Sequence, residues 1–216
     1  MKRLEVNFTV DEKIIIAIDG PAASGKGTVA RKLAKVFNLP HLDSGQLYRL
    51  IGYCAIKNSI NPNDKRSIIE LTKKIDFNYN KIEDLMNDEI STIASIISQY
   101  GEVRDQLINY QRDFASNGAV VDGRDIGTII FPNANYKFYI TASLEQRTER
   151  RYLQLKKDNT EIDRNNIRND IKMRDLRDIG RKIAPLKKAR NAIEIDTTEM
   201  KIDDVIDFIV KYIHKG

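Results

Sequence analysis

The 216-residue sequence predicts an α/β protein with a mainly parallel sheet covered by helices on both faces. Two observations carry this prediction. Short apolar runs rich in β-branched residues alternate with segments of helical periodicity along most of the chain. No composition shift and no linker rich in Pro, Gly and Ser divides the chain, so we expect a single domain over residues 1–216.

The elements follow one another in a regular order. A continuous apolar run at 14–18 predicts the first strand, and it is followed by a Gly-rich turn and a helix over 26–37. Further strands are expected at 41–42, 119–121, 137–140 and 192–195. Helices are expected around 47–56, 65–75, 90–98, 103–115, 143–155 and 165–176. The last helix, 202–213, has an apolar face that should pack on the sheet.

The composition limits the possible cofactors and compartments. A single cysteine, Cys54, excludes an internal disulfide, and two histidines are too few for a zinc site with structural spacing. Any metal should therefore be held by oxygen. The charged start of the chain is unlike a secretory signal, and no apolar run approaches the length of a membrane span. We therefore expect a cytoplasmic protein without a membrane partner.

Positive charge is concentrated in one segment. The formal net charge is +5, but residues 147–190 carry fifteen Lys and Arg against seven Asp and Glu. Such a segment could form a surface for nucleic acid, or it could close over several phosphate groups, which arginine binds with paired hydrogen bonds. The segment alone does not distinguish the two.

The strongest local signal is the run Gly-Pro-Ala-Ala-Ser-Gly-Lys-Gly-Thr, between the first strand and the first helix. Its glycines let backbone N–H groups encircle phosphate oxygens, and Lys26 neutralises charge on the outer phosphates. An ordinary Gly-rich turn would explain the glycines but not the lysine at this spacing. The run is therefore interpreted as a P-loop that binds ATP. Its predicted ATP-binding residues are Gly20, Ala22, Ala23, Ser24, Gly25, Lys26, Gly27 and Thr28.

A magnesium ion is expected beside this loop. Gly27 stands where many P-loops have a Ser or Thr that binds magnesium, and the hydroxyl comes one place later at Thr28. The ion should then be held largely through water. Asp122, at the end of the third strand, is the candidate that orients the ion or its water shell. The alternative for such an aspartate is a helix or turn cap.

Arginines also follow the neighbouring strands. The segment 43–49 follows the second strand and 123–127 follows the third, at the strand ends where parallel sheets bind ligands. Two helical faces add more: Arg147, Arg150 and Arg151 lie at i, i+3 and i+4, and Arg174, Asp178 and Arg181 at i, i+4 and i+7. The alternative is a solvated helix face with surface ion pairs.

These motifs together closely resemble bacterial cytidylate kinases over nearly the whole chain. Two are much more specific than a P-loop: Asp-Ser-Gly-x-x-Tyr-Arg at 43–49 and Arg-Asp-x-x-Asp-x-x-Arg at 174–181. The resemblance implies a P-loop NTPase core with a five-stranded parallel sheet, a nucleoside monophosphate (NMP)-binding attachment at about 58–100 and a short lid at about 150–170. It implies transfer of the γ-phosphate of ATP to CMP or dCMP.

The resemblance also implies roles for individual residues. Lys26, Arg124, Arg174 and Arg181 match catalytic positions, and Arg147 and Arg151 match positions on the lid side of ATP. Asp125 matches the position that faces the cytosine amine, for which the alternative is an ion pair that steadies Arg124. The positions that match CMP-binding residues are Ser44, Tyr48, Arg49, Ser95, Arg104, Arg124, Asp125, Arg174, Asp178 and Arg181.

One segment departs from the family pattern. Residues 76–88 are shorter than the strand-rich insert of longer members, so the NMP-binding attachment, which includes Ser95, is expected to be trimmed. The rival interpretations are a kinase for another monophosphate or for a small metabolite such as shikimate, and a nucleic-acid-binding P-loop protein. Acidic residues within the basic segment and few nearby aromatics disfavour nucleic acid. A monomer is expected.

Overall fold

The computed structural model describes residues 13–77, 88–156 and 162–215. Its five strands all run parallel in one sheet, in the order β2-β3-β1-β4-β5. They are β1 (Ile15–Asp19), β2 (His41–Asp43), β3 (Ala119–Gly123), β4 (Tyr136–Thr141) and β5 (Ile193–Asp196). The predicted fold class and all five predicted strands are therefore confirmed.

Eight α-helices and one short π-helix connect the strands within the described part of the chain. The π-helix, Ile126–Ile130, follows β3 and was not predicted from the sequence. The α-helices are α1 (Lys26–Val36), α2 (Ser44–Lys57), α3 (Lys65–Thr72), α4 (Asp88–Ile97), α5 (Gly101–Phe114), α6 (Leu144–Leu155), α7 (Arg164–Gly180) and α8 (Ile202–Ile213).

Several helix ends differ from the sequence prediction; helix α3, expected to reach residue 75, ends at Thr72. Helix α2 begins at Ser44, three residues before the expected start, because the Asp43 side chain accepts a hydrogen bond from Gly45 N at 2.9 Å. This N-cap satisfies a backbone donor of the first turn. Helix α7 continues to Gly180, four residues beyond its expected end. The extension keeps Arg174 and Asp178 on one rigid helix.

The core lies on both faces of the sheet. Along β1, Ile16 and Ile18 face α1 and α8, whereas Ala17 faces α2, α4 and α5. Alternate residues of a strand point to opposite faces, and both faces of this sheet are covered, so the strand sequence is continuously apolar. Helix α8 contributes Ile209 to the first of these faces, as its predicted apolar face required.

The chain order of the strands places one crevice at the carboxyl edge. From β1 the chain continues to β2 on one side, and from β3 it crosses to β4 on the other side of β1. In open parallel sheets, ligands bind where the strand order reverses in this way. The loop after β1 therefore opens into a crevice between neighbouring connections.

Some predicted features lie outside the described residues. The shortened segment 76–88 falls mostly there, as does part of the predicted lid at 150–170. The division into core, NMP-binding attachment and lid therefore stays a prediction. Within the described residues, no helix has the length and apolar character needed to cross a bilayer.

Gly118 is required by its backbone geometry. Its φ is +89°, and a Cβ there would lie 2.9 Å from Ile14 O, which accepts the hydrogen bond from Ala119 N. We expect Gly118→Ala to lower the free energy of unfolding by about 1–3 kcal/mol, because alanine disfavours this φ and must push away a backbone carbonyl. Urea unfolding measures the change.

Gly180→Ala is the matched control. Gly180 is helical, and a Cβ there meets no atom within 4 Å. This substitution should leave stability unchanged or raise it by up to about 1 kcal/mol. Equal destabilisation by the two substitutions would contradict the assigned constraint at Gly118.

Candidate active site

The loop between β1 and α1 forms one wall of a cavity of about 360 Å³. Two of its residues have a left-handed backbone, Ala23 with φ 56° and Gly25 with φ 90°. Lys26 is buried, and its Nζ donates to the loop carbonyl Pro21 O at 3.1 Å. The Ser24 hydroxyl is buried without a hydrogen-bond partner among the described residues. A Gly-rich loop before a helix N-terminus in this form is an anion-binding arrangement.

Gly20 lies behind the loop, against β4. It does not line the cavity, and a Cβ on it would lie only 2.1 Å from Ile140 O of β4. A side chain cannot fit there, so glycine lets the end of β1 lie close to β4. The remaining predicted ATP-binding residues of the loop line the cavity: Ala22, Ala23, Ser24, Gly25, Lys26, Gly27 and Thr28.

Arginines from three parts of the fold line the opposite wall. Arg49 of α2, Arg124 after β3, and Arg174 and Arg177 of α7 all line the same cavity. A smaller cavity of about 40 Å³ continues from them, and both Arg124 and Arg174 line it as well. Its other lining residues from the sequence prediction are Ser44, Tyr48, Ser95, Arg104, Asp125, Asp178 and Arg181. All ten predicted CMP-binding residues therefore line one of these two joined cavities.

Buried carboxylates pair with these guanidinium groups. Arg124 Nε donates to Asp178 Oδ2 at 2.7 Å. Asp125 accepts a short hydrogen bond from Arg104 Nη2, and Arg181 Nη2 lies 3.6 Å from its other oxygen. The ion pair between Asp125 and Arg124 that the sequence left open is not formed, because Arg124 turns to Asp178. Buried charges of one sign need such partners to be stable in a low dielectric.

Not every donor in this cluster is satisfied. Arg174 Nε and Arg181 Nη2 are buried without a hydrogen-bond partner among the described residues. Leaving a charged donor unpaired in the interior is unfavourable, and few native groups are left so. Both atoms belong to residues that line the acceptor-side cavity. The arrangement therefore fits an anionic ligand that accepts these hydrogen bonds.

The electrostatics of α7 agree with an anion site. Burial would raise the pKa of Asp178, but Arg124 and Arg174 outweigh it and lower that pKa below its usual value. Burial and the neighbouring Arg124 lower the pKa of Arg174 to about 9, so its guanidinium stays protonated near neutral pH. The helix therefore presents positive charge to the cavity under physiological conditions.

Asp122 lies on the floor of the main cavity with an unpredicted partner. His41 Nε2 lies 2.7 Å from Asp122 Oδ1, and the other carboxylate oxygen lies 3.5 Å from where a Cβ on Gly27 would be. Asp43 and Thr28 also line this cavity. Carboxylate and hydroxyl oxygens fit the preference of Mg²⁺, and the absence of a side chain at Gly27 leaves space beside them. Among the described residues, Asp122 caps neither a helix nor a turn; its carboxylate pairs with His41.

Asp19 joins the phosphate-binding strand to the acceptor loop. Its two carboxylate oxygens accept hydrogen bonds from Ile126 N and Gly127 N, both at 2.8 Å. These donors open the π-helix directly after Asp125. Burial raises the pKa of Asp19 to about 7, against the opposing effect of the two backbone donors. The link fixes the backbone that presents Arg124 and Asp125 beside the loop.

Arg147 departs from its predicted position. It lines neither the main cavity nor its neighbours, and its Nη1 donates to Asp175 Oδ2 and to Ala22 O. Its guanidinium thus lies behind the loop and is occupied by protein oxygens. Direct contact of Arg147 with ATP is not supported by this placement. Arg151, the other predicted residue of this helix, does line the cavity.

A further cavity of about 460 Å³ adjoins the loop on the side of α6 and α8. It shares six residues with the main cavity: Ala23, Ser24, Gly25, Thr28, Arg151 and Gln154. Its remaining lining residues were not proposed from the sequence, except for Arg150 on the predicted arginine face of α6. These are Val29, Gln146, Arg150, Thr197, Met200, Ile202 and Val205. Arg150 donates to Thr197 O and to Ser24 O, which ties this side to the loop.

His41 and Arg177 were also missed. Arg177 Nε donates to Ser95 Oγ at 3.1 Å, so the predicted base-contacting Ser95 is linked to α7. Nothing in the sequence pairs residues 95 and 177. His41 could be read only as part of a strand, because its neighbour Asp122 comes from another strand far along the chain.

A family model described as cytidylate kinase matches residues 16–215. The chain is 44% identical to a cytidylate kinase of Bartonella tribocorum over 88% of this chain and 89% of that one. It is 42% identical to a cytidylate kinase of Fusobacterium nucleatum, over 94% and 99% respectively. The crystal structure of an uncharacterized protein from Eubacterium ventriosum superposes with TM-score 0.55 at 19% identity, covering 94% and 99% of the two chains, and supports the fold alone.

Binding of ATP should change the protonation state of Lys26. Burial and the nearby Arg124 lower the pKa of Lys26 to about 7. At pH 8 most of these amines are therefore neutral, and polyphosphate bound beside Nζ should raise the pKa well above 8. We expect binding of ATP at pH 8 to take up about one proton per site. Titration calorimetry in two buffers of different ionisation enthalpy measures this number.

Two substitutions test whether Lys26 is the group that takes up the proton. Lys26→Met should abolish the proton uptake, whereas Lys35→Met, which alters an exposed lysine of α1, should leave it intact. Wild-type protein that binds ATP at pH 8 without measurable uptake would show that Lys26 is already protonated in the free loop.

Proposed function

Because the chain belongs to the cytidylate kinase family, we propose that it transfers the terminal phosphoryl group of ATP to CMP or dCMP in the two joined cavities described above. The family match confirms the enzyme class and the family predicted from the sequence. The individual roles given below to site residues are part of the proposal.

One observation carries the assignment of the acceptor side. Two buried arginine donors without a hydrogen-bond partner among the described residues, Arg174 Nε and Arg181 Nη2, belong to residues that line the acceptor-side cavity. A second phosphate would accept their hydrogen bonds, with Arg49 and Arg124 completing the set. A P-loop alone requires no such second cluster. The acceptor is therefore a molecule that itself carries a phosphate.

The donor would enter from the other side of the loop. The cavity near α8 is lined by aliphatic side chains, including Met200 and Val205, beside the polar Thr197. An adenine ring suits such mixed walls. The triphosphate would then extend along the loop toward Lys26 and the acceptor. Arg151 lines both cavities, which places it where donor base and phosphates meet.

Magnesium fits the oxygen-rich floor of the main cavity. Asp122 would hold it, largely through water, with Thr28 as the nearest loop hydroxyl. When bound, the ion supplies positive charge to the β- and γ-phosphates. The His41 contact keeps the Asp122 carboxylate oriented.

The protein's own part in the reaction is positioning and charge. CMP carries an ionised phosphate near neutral pH, so the attacking oxygen needs no general base. Lys26 and Arg124 lie on opposite sides of the transferred group and reduce the repulsion between the two anionic nucleotides. Arg174 neutralises charge that spreads in the transition state. Closure of α6 and α7 over the loop excludes water.

Base selection would rest on Asp125. Its carboxylate accepts hydrogen bonds only, so it attracts the exocyclic amine of cytosine and repels the uracil carbonyl. The cavity around Asp125 holds about 40 Å³, well below the volume of ordinary ligand sites, and Arg104 occupies the carboxylate. Binding of CMP therefore requires α4, which carries Ser95, to move away from α7.

The expected cytoplasmic location and monomeric state stay predictions from the sequence.

An acceptor panel tests the function. A coupled assay of ADP release with CMP, dCMP, UMP, AMP and shikimate should show acceptor-dependent turnover with CMP and dCMP, and Lys26→Ala should reduce it by orders of magnitude. Preference for shikimate or AMP would move the chain to a different acceptor. ADP release that no acceptor stimulates, together with salt-dependent binding to DNA or RNA, would favour the nucleic-acid interpretation.

Replacing Asp125 should weaken discrimination between bases. The wild type should prefer CMP over UMP by at least about tenfold in kcat/KM, because a repelled or unpaired charged group costs about 1–3 kcal/mol or more. Asp125→Asn retains the shape but offers an amide donor to the uracil carbonyl. We expect the CMP to UMP ratio to fall to near unity, mainly through loss of CMP activity.

Two further variants control this experiment. Asp125→Ala should also reduce the ratio, although it leaves Arg104 without its carboxylate partner, so its stability is measured in parallel. Asp113→Asn changes an exposed aspartate of α5 and should leave the ratio unaltered. If CMP and UMP activities fall by one common factor in both Asp125 variants, the base is read elsewhere, at Ser95 or Arg104.

A further inference from the structure

We propose that Asp175 is a positioning residue that couples the acceptor-binding helix α7 to the donor loop. Asp175 lies between Arg174 and Asp178 in sequence, yet its side chain turns away from the acceptor cavity. Its Oδ1 accepts a hydrogen bond from the backbone Ala22 N at 3.1 Å. The proposal rests on the function proposed above, because it concerns how the two nucleotide sites communicate.

Arg147 completes this contact. Its Nη1 donates to the second oxygen of Asp175 and also to Ala22 O at 3.1 Å, while its Nε donates to Ala142 O at 3.0 Å. Both backbone polar groups of Ala22 are thus bound by one partly buried ion pair. We call the three residues Ala22, Arg147 and Asp175 the latch. It accounts for the burial of the Arg147 guanidinium behind the loop.

The latch holds the loop next to its most constrained residue. Ala23 follows Ala22 directly and has φ 56°, a left-handed backbone that is unfavourable for a residue with a Cβ. Such a conformation persists where the surroundings over-determine it. The fixed position of Ala22 N and O therefore helps maintain the curvature that aims the following N–H groups at phosphate.

Apolar contacts reinforce the same connection. Ile167 and Ile171 of α7 pack with Ala22 in a small cluster separate from the two main cores. Helix α7 thus contacts the donor loop through this cluster and Asp175, and it contacts the acceptor cavity through Arg174 and Asp178. A shift of α7 on binding of the acceptor must alter the support of Ala22. By linkage, binding of ATP must alter the acceptor site by the same factor.

The competing explanation is an ordinary structural ion pair. In that case Asp175 only anchors α6 to α7, and its loss lowers stability without changing how one nucleotide affects the other. Thermal unfolding alone cannot separate the two, since both predict destabilisation when a buried partner is removed. The separating quantity is the coupling factor, the ratio of the Kd of a non-hydrolysable ATP analogue without CMP to its Kd with saturating CMP.

Asp175→Asn is the test variant, because the amide retains the shape but cannot accept from both Ala22 N and Arg147. We expect wild-type protein to show a coupling factor above about 5, within the usual range of energetic coupling between sites. The variant should bring it near 1 and lower kcat by about tenfold, with less than a twofold change in the Kd of CMP measured alone. Asp207→Asn, an exposed change on α8, should match the wild type.

Hydrogen exchange of the wild type gives a second measurement that needs no variant. CMP alone should slow exchange of the amides in the peptide 20–28, since a better supported Ala22 restrains the loop. An unchanged coupling factor in Asp175→Asn with a lowered Tm would overturn the latch and leave the kinase assignment intact. If Asp175→Asn does not fold, unchanged exchange in the wild type overturns it. Wild-type protein that fails to bind CMP would instead overturn the proposed function and the coupling with it.

Discussion

The crowding of guanidinium groups at the carboxyl edge of the sheet is the constraint around which the active site is arranged. Arg104 and Arg181 are almost wholly buried, and Arg124 and Arg174 lie beside them. Like charges at these separations repel strongly in a low dielectric, so the fold must supply compensating carboxylates. Asp125 and Asp178 do this for the acceptor side, and Asp175 does it for Arg147 behind the loop.

These ion pairs can also be exchanged for contacts with a ligand. A carboxylate that neutralises an arginine in the free protein can become a ligand-binding group once a phosphate takes its place on the cation. Asp125 illustrates this, since the oxygen that would accept the cytosine amine is bound by Arg104 in the free protein. The proposed entry of the base requires the cavity to widen, because its volume of about 40 Å³ is too small for a cytosine ring. Base recognition by Asp125, as proposed, would then depend on a movement of the elements that line this cavity.

The features that depend on local sequence pattern could be predicted from the sequence. Five strands, the P-loop and the arginines at the strand ends follow from short-range periodicity and spacing, and each lies where parallel-strand geometry places it. Contacts between distant segments could not be predicted. His41 and Asp122 are adjacent only through strand register, and Arg147 turns to Asp175 because α6 and α7 pack together. The π-helix was not predicted from the sequence, because its first two backbone donors are bound by Asp19, which lies in another strand.

Asp19 shows how one edge of the sheet serves both substrates. The strand that ends in the P-loop also supplies the carboxylate that fixes the backbone after Asp125, so the donor loop and the acceptor loop share one support. Without an acceptor, the carboxylates of Asp125 and Asp178 weaken the positive field that would otherwise stabilise transfer to water. The proposed acceptor brings its own negative phosphate, so it does not restore that field; it supplies the attacking oxygen and occupies the space that water would take. Transfer to the acceptor is then favoured over transfer to water by position and by exclusion of water.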